Sequence, residues 1–299
     1  MPTPSPSTTH QESVSTYLLY NRWAATYDTD HNPLQILDSA LIPSLLKTLF
    51  FIPSEAQDNI TITELGCGTG RNTIRFLAPP ISKKISKIHA LDLSPAMLEI
   101  ARSRCSLCVS ENDSHVPSIQ FNEFNALNVQ FNPEISSLIQ GQANMVISTL
   151  VLEHLPLDTF FSAVAFLLKP DSNADNGRVL ITNMHAEMGR LSQAGFSDEI
   201  EGKKTKVRGE SYVYEIEEVV EQGKKWGFHV VGEVLERTVE ITDIEEDGSG
   251  LKLGSRGGKW IGKKMWFGMV MQRKHQQNNS ATGKQSVTHI ANGLDCQQI

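Results

Sequence analysis

Cysteine is scarce in this 299-residue chain, with four residues at positions 67, 105, 108 and 296. That is too few for a disulfide framework in a protein of this length and fits a reducing compartment. Cys105 and Cys108 form a C-x-x-C pair, but no second pair or histidine cluster accompanies them at ligand spacing, so they read as two helix cysteines and no metal is expected. No uninterrupted apolar run reaches membrane-spanning length, and the opening MPTPSPSTTHQESVST lacks the basic and apolar regions of a secretory signal. Positive charge is also short, 27 Lys and Arg against 34 Asp and Glu for a net −7, which excludes reliance on a broad basic surface. These absences point to a soluble cytoplasmic protein whose partner is a small molecule rather than a nucleic acid or a membrane. Oligomeric state is left open.

Both ends are polar. Residues 1–14 are rich in Pro, Ser and Thr, residues 275–299 have few large apolar side chains, and both read as disordered tails around one domain at 15–274. Within it, strand-like and helix-like segments alternate: NITITEL, RNTIRFLA, KIHALDL, SPAMLEIARSRC, then SIQFNEF, ANMVISTLVL and a helix from about Asp158. In that helix Phe161, Val164, Ala165 and Leu168 make one apolar stripe before Pro170. GRVLITNM is a further strand, and Ile216, Val219, Val220 and Trp226 share a face of the next helix. HVVGEVLERTVEI and KKMWFGMVMQRK follow without an obvious helix between them. The expected fold is α/β: a doubly wound, seven-stranded, mostly parallel sheet with helices on both faces and an antiparallel C-terminal hairpin.

The stretch ITELGCGTGRNT carries glycines at 66, 68 and 70 between the first strand and the first helix. Glycine there permits backbone conformations closed to other residues and lets a ligand lie against bare main chain. Asp92 ends the next strand, where a carboxylate accepts both hydroxyl protons of a ribose, so a nucleoside-containing cofactor is indicated. The spacing is not the dinucleotide fingerprint G-x-G-x-x-G: the third glycine comes one residue early, Arg71 takes its place, and Glu64 precedes the triplet. A nicotinamide oxidoreductase is therefore the weaker reading.

The pattern E-L-G-x-G-x-G, with ALDLSPAMLEIAR, MVISTLVLEHL and LLKP…GRVLIT in the same order, resembles the class I S-adenosylmethionine-dependent methyltransferases. The resemblance implies that Glu64, Gly66, Cys67, Gly68 and Gly70 hold the methionine part of S-adenosylmethionine and that Asp92 binds its ribose. It further implies that Met97, Asn125 and Ala126 surround the adenine and that Ser148 lies at the site. Asn125 and Asn144 stand where the family often has aspartate, the one feature that favours a non-catalytic S-adenosylmethionine-binding subunit. YLLYNRWAATYDTDHNPLQ resembles the lid helix of small-molecule members, within about 15–50, with Tyr20, Trp23 and Tyr27 on one face and Tyr20 and Tyr27 closing over the cofactor.

Methyl transfer from a sulfonium needs chiefly positioning, exclusion of water and removal of one proton. Two histidines stand at the carboxyl ends of strands, His154 in LEHL and His185 in TNMHAEM, and both are candidate bases. Residues 185–214 interrupt the alternation and read as an insert covering the substrate, with Tyr212 and Tyr214 as possible pocket residues and Lys203, Lys204 and Lys206 as solvated. No D/N-P-P-Y/F motif follows the fourth strand, which favours a small-molecule acceptor. The lid and ITNMHAEMGRLSQAGF look like methyltransferases of fungal secondary-metabolite pathways, including the amide N-methyltransferases of gliotoxin-type biosynthesis. Nitrogen is thus the expected acceptor atom, with O-, S- and C-methylation as alternatives.

Overall fold

The computed structural model describes residues 10–51, 58–108, 115–170, 177–245 and 250–273. Its elements run in chain order as β1 (His10–Ser13), α1 (Thr16–Trp23), α2 (Pro33–Phe50), β2 (Ile60–Leu65), β3 (Ile85–Asp92), α3 (Pro95–Cys108), β4 (Ser118–Glu123), α4 (Pro133–Ile139) and β5 (Met145–Thr149). There follow α5 (Leu157–Leu167), β6 (Arg178–Met184), α6 (Ala186–Gly189), β7 (Gly195–Ile200), β8 (Lys203–Arg208), α7 (Ile216–Lys225), β9 (Phe228–Thr238) and β10 (Lys264–Arg273). Seven strands form one sheet in the order β4-β3-β2-β5-β6-β10-β9. The first five are parallel, and β10 is antiparallel to both β6 and β9, which makes the expected C-terminal hairpin.

Alternation along the strands divides the core. Met145 and Ile147 of β5 face the side packed by α2 and α3, and Val146 faces the side packed by α4, α5 and α7. The central strand β5 is buried along its whole length, as a sheet covered on both faces requires. Phe161, Val164 and Leu168 are buried, while Val219 anchors α7 with Ile216, Val220 and Trp226 packed around it. Ser94 accepts a hydrogen bond from the Met97 amide at 3.2 Å, so α3 starts at Pro95, where a missing N–H removes no helix bond.

Two expectations need correction. RNTIRFLA forms no full helix; it is a short 3-10 segment, Thr73–Leu77, because its side chains are drawn into polar contacts beneath the glycine turn. Residues 1–14 are not wholly a tail: His10–Ser13 pairs in parallel with β8, while residues 1–9 and 275–299, with Cys296, lie outside the described residues. The 185–214 insert has regular structure: β7 and β8 form an antiparallel hairpin that β1 extends to a three-stranded sheet. Leu19, Trp23, Phe196 and Val207 make a separate small core between this sheet and α1, with the Trp23 and Phe196 rings stacked at 5.4 Å. Among the described residues no helix is long and apolar enough to cross a membrane.

Candidate active site

Strand order reverses between β2 and β5, and the crevice at their carboxyl ends is where a ligand is expected in such a sheet. An open cavity lies there, with about 740 Å³ of empty space. Gly66, Gly68, Asp92, Met97, Asn125 and Ala126 line it, and Tyr20, Tyr27 and His154 stand on its rim.

The glycine turn shows what it can hold. Gly66, Gly68 and Gly70 all have positive φ, at 77°, 55° and 78°. A Cβ on Gly66 would lie 2.2 Å from Val151 and one on Gly70 would lie 3.1 Å from Ala101, but one on Gly68 would meet nothing within 4 Å. Gly68 is thus the point where the backbone lies bare to the cavity. The amides of Gly66 and Cys67 both donate to the Leu91 carbonyl, that of Gly68 to Asp92, and that of Gly70 to the Cys67 carbonyl. These four amides are engaged within the protein, and the spacing of the glycines is not that of the dinucleotide fingerprint.

The Asp92 carboxylate is held by two main-chain donors, Gly68 N–H to Oδ2 at 2.7 Å and Ser94 N–H to Oδ1 at 2.8 Å. Each oxygen keeps a second lone pair, which is the donor-accepting pair a vicinal diol requires. Burial pushes its pKa up to about 6 against the pull of these amides. Asn125 is also at the cavity, though its Oδ1 accepts from the Leu127 amide at 2.9 Å in a local turn.

Several expected site residues lie elsewhere. Glu64 is fully buried behind the glycine turn, where its Oε2 accepts from Thr73 Oγ1 at 2.6 Å, and burial raises its pKa to about 8. Cys67 points away from the cavity into the core beside α3, and Gly70 packs on Ala101. Ser148 is buried and donates to the Leu65 carbonyl at 3.2 Å; strand alternation leaves its neighbour Thr149 to line the cavity instead. Asn144 latches β2, with its Oδ1 accepting from the Thr61 amide and from Lys169 Nζ. His185 lines neither this cavity nor the next. It caps α6 through Nδ1, which accepts from the Glu187 amide at 3.1 Å, while its Nε2 lies 3.4 Å from Glu236. Tyr212 and Tyr214 stack on each other away from both cavities, Tyr214 donating to the Leu155 carbonyl.

His154 is at the site, and its tautomer follows from its partners. Nδ1 lies 3.0 Å from the Glu210 carbonyl, which can only accept, so Nδ1 carries the proton. Burial lowers the pKa to about 4, so the ring is neutral and Nε2 accepts from the Tyr20 hydroxyl at 2.7 Å. Tyr20 and Tyr27 in turn form an aromatic group with Trp23.

Beyond these rings lies a second cavity of about 640 Å³ that shares Tyr20, Tyr27 and Leu150 with the first. Its other walls come from α2 (Gln35), from residues 192–195 of the cover sheet, and from Met184, Arg256 and Trp260. Leu150 sits between the cavities at φ 57°, a left-handed conformation that a branched side chain rarely adopts. Among the described residues no group of three or more His, Cys, Asp or Glu is placed to hold a metal ion.

Comparison with known proteins shows the family. The sequence model of a methyltransferase-domain family matches residues 63–174, which span the glycine turn, Asp92 and His154. The chain is also 37% identical over 271 residues to "Uncharacterized methyltransferase AN0656" of Emericella nidulans, covering 86% of this chain and 91% of that protein. The chain belongs to the methyltransferases. Solved structures similar to this methyltransferase include magnesium protoporphyrin IX methyltransferase from Synechocystis PCC 6803 with bound S-adenosylhomocysteine (12% identity, 81% of this chain and 86% of that chain, TM-score 0.47). Geranyl diphosphate C-methyltransferase from Streptomyces coelicolor A3(2) is another (14% identity, 80% and 77%, TM-score 0.49).

Residues that the sequence did not single out complete the methyltransferase site. Thr149, Leu150 and Leu127 line the first cavity and Glu153 the second one; three of them lie within MVISTLVLEHL, whose resemblance does not say which side chains line a cavity. Asp28 links the lid to the glycine turn, accepting from Thr69 Oγ1 at 2.9 Å and from Arg104 at 2.5 Å.

Proposed function

We propose that this methyltransferase acts on a small-molecule acceptor held in the second cavity, at nitrogen and in a fungal secondary-metabolite pathway, with the cofactor in the glycine-turn cavity. The observation that carries the reading is the pair of adjoining cavities, one with a diol-binding carboxylate and one beneath a lid and cover sheet, separated only by Tyr20, Tyr27 and Leu150. The fungal origin of the 37% identical relative supports the setting.

The residues present fit the cofactor: Gly68 offers bare backbone, Asp92 offers two open lone pairs, and Met97, Asn125 and Ala126 offer a partly apolar slot. S-adenosylmethionine supplies an already activated methyl group, so the chain's own task is orientation and dryness. Tyr20 and Tyr27 roof both cavities and exclude water from their junction. In this reading His154 is a positioning residue that fixes the Tyr20 oxygen at that junction, and His185 is a helix cap.

The test is methyl transfer from isotopically labelled S-adenosylmethionine to a panel of amide, amine, phenol, carboxyl and thiol acceptors, read by product mass. Label on an amide or amine establishes the nitrogen assignment; label on another class reassigns the atom. Tight S-adenosylhomocysteine binding without transfer to any class would shift the reading to a non-catalytic binding subunit.

A further inference from the structure

One carboxyl group on the wall of the second cavity is that of Glu153, which stands beside His154 in LEHL. Glu153 follows β5, and its backbone is fixed on both sides: its amide donates to Asn183 Oδ1 at 3.2 Å and its carbonyl accepts from the Tyr212 amide at 2.6 Å. The side chain is 5% exposed, yet its Oε2 has no hydrogen-bond partner among the described residues. Its Oε1 comes only within 3.9 Å of His154 Nε2, whose lone pair already faces Tyr20. Ionised or protonated, the group therefore lacks at least one hydrogen bond, an arrangement that costs on the order of 1–3 kcal/mol where no ligand completes it. Glu153 lines the second cavity. On another wall of the same cavity, Gln35 of α2 is 7% exposed and its Nε2 is likewise unpartnered. Two residues of one cavity wall thus carry a buried acceptor and a buried donor that are both unsatisfied.

We infer that Glu153 is a catalytic residue that receives the N–H or O–H of the methyl acceptor, while Gln35 donates to a carbonyl of the same molecule. The acceptor is then a compound whose reacting N–H or O–H sits beside a carbonyl, such as a carboxamide, a lactam or an acid. In the transfer, a bond forms between the acceptor heteroatom and the methyl carbon as the carbon–sulfur bond breaks with its electron pair on sulfur, and the displaced proton goes to Glu153 Oε2. A fixed ammonium is a poorer candidate, because Arg256 and Lys259 stand at the same cavity. The groups around the carboxyl are Tyr20, Tyr27 and the neutral His154, while Arg256 and Lys259 stand elsewhere on the cavity wall. Burial raises the Glu153 pKa to about 8, which makes its ionised form a stronger base than His154.

The inference rests on the proposed assignment of the two cavities, and its test separates the two. The full chain is saturated with S-adenosylhomocysteine and titrated with benzamide and with N,N-dimethylbenzamide, which lacks the N–H. Wild type is expected to bind benzamide about tenfold more tightly, the scale of one buried hydrogen bond. Glu153→Leu should abolish that preference. Glu153→Gln, which keeps an acceptor oxygen but cannot take a proton, should retain the preference while losing turnover on any amide acceptor. S-adenosylhomocysteine affinity should stay within about twofold in both variants, since Glu153 does not line the cofactor cavity. Equal binding of the two amides, or no binding of benzamide to the loaded protein, overturns the inference and leaves the cofactor assignment standing. Failure of S-adenosylhomocysteine itself to bind overturns the cavity assignment and this inference with it.

Discussion

Gly68 and Asp92 do most to define the cofactor cavity, and they act in different ways. Gly68 contributes an absence: a side chain there meets no protein atom, so its volume falls in ligand space. Gly68→Val should cost about 1–2 kcal/mol of stability for a β-branched residue at positive φ, yet leave a folded protein that no longer binds S-adenosylhomocysteine in a thermal-shift titration. Normal binding would move the cofactor away from this turn. Asp92 contributes two acceptors to charged hydrogen bonds worth about 1.5–3 kcal/mol each, so Asp92→Ala should weaken affinity by at least a hundredfold in calorimetry. Its raised pKa sets a sign as well. Diol binding favours the ionised form, so affinity should improve as pH rises through about 6. A flat profile between pH 5 and 7 would show that Asp92 is ionised throughout or does not touch the ribose. That both line this cavity was legible because a glycine in such a turn and a strand-end acid announce themselves by residue type. Glu64 was misplaced because the motif gives its position in the chain but not the direction of its side chain, and here that direction is toward Thr73.

Among the elements, the lid and the insert turn out to be one unit. Arg22 of α1 binds Glu12 of β1 and Asp198 of β7, each at 2.9 Å, and Asn21 Oδ1 accepts from Ser94 Oγ and the Ala96 amide at the start of α3. The strap therefore joins the roof of both cavities to the helix that follows Asp92. Its ion pairs are partly exposed and worth about 0–1 kcal/mol each. Arg22→Ala should accordingly lower the thermal midpoint by no more than about 2–4 °C while increasing amide exchange in α1 and β7 and speeding S-adenosylhomocysteine release. Unchanged release would separate the strap from ligand retention. Hydrophobic period made the seven sheet strands and the hairpin readable, since each buries an apolar face. The three-stranded cover was not readable, because GFSDEI and KKTKVR alternate weakly and β1 pairs with a segment nearly two hundred residues away. Asp38 was missed for a related reason: it reads as an ordinary helix acid, yet it is buried and accepts from Arg71, Asn72, Thr182 and Trp266.

Across the whole molecule, these buried groups give stability a pH dependence that composition alone does not suggest. Glu64 and Glu153 move from an ordinary value of 4.5 to about 8, each raised first by burial. A carboxyl that binds its proton more tightly in the folded chain supports folding at low pH and withdraws that support as pH rises through the folded value. His89 and His154 move the other way, from 6.5 to about 4, again by burial, so their contribution is present above pH 6.5 and lost as pH falls toward 4. Between pH 4.5 and 6.5 the two pairs oppose each other, and the decline in that window comes mainly from Asp92, raised by burial from 3.8 to about 6. Between 6.5 and 8 the histidines no longer change and only the two glutamates remain, so the unliganded protein should lose stability steadily across that window. Glu64→Gln should remove roughly half of the decline, because one of the two titrating carboxyls is gone. Its amide can still accept from Thr73, so the fold should survive the substitution. Chemical denaturation at half-unit pH steps measures both slopes. Equal slopes in wild type and variant would mean that Glu64 is already ionised in the folded protein, and the alkaline loss would then have to come from Glu153 or from groups outside this site.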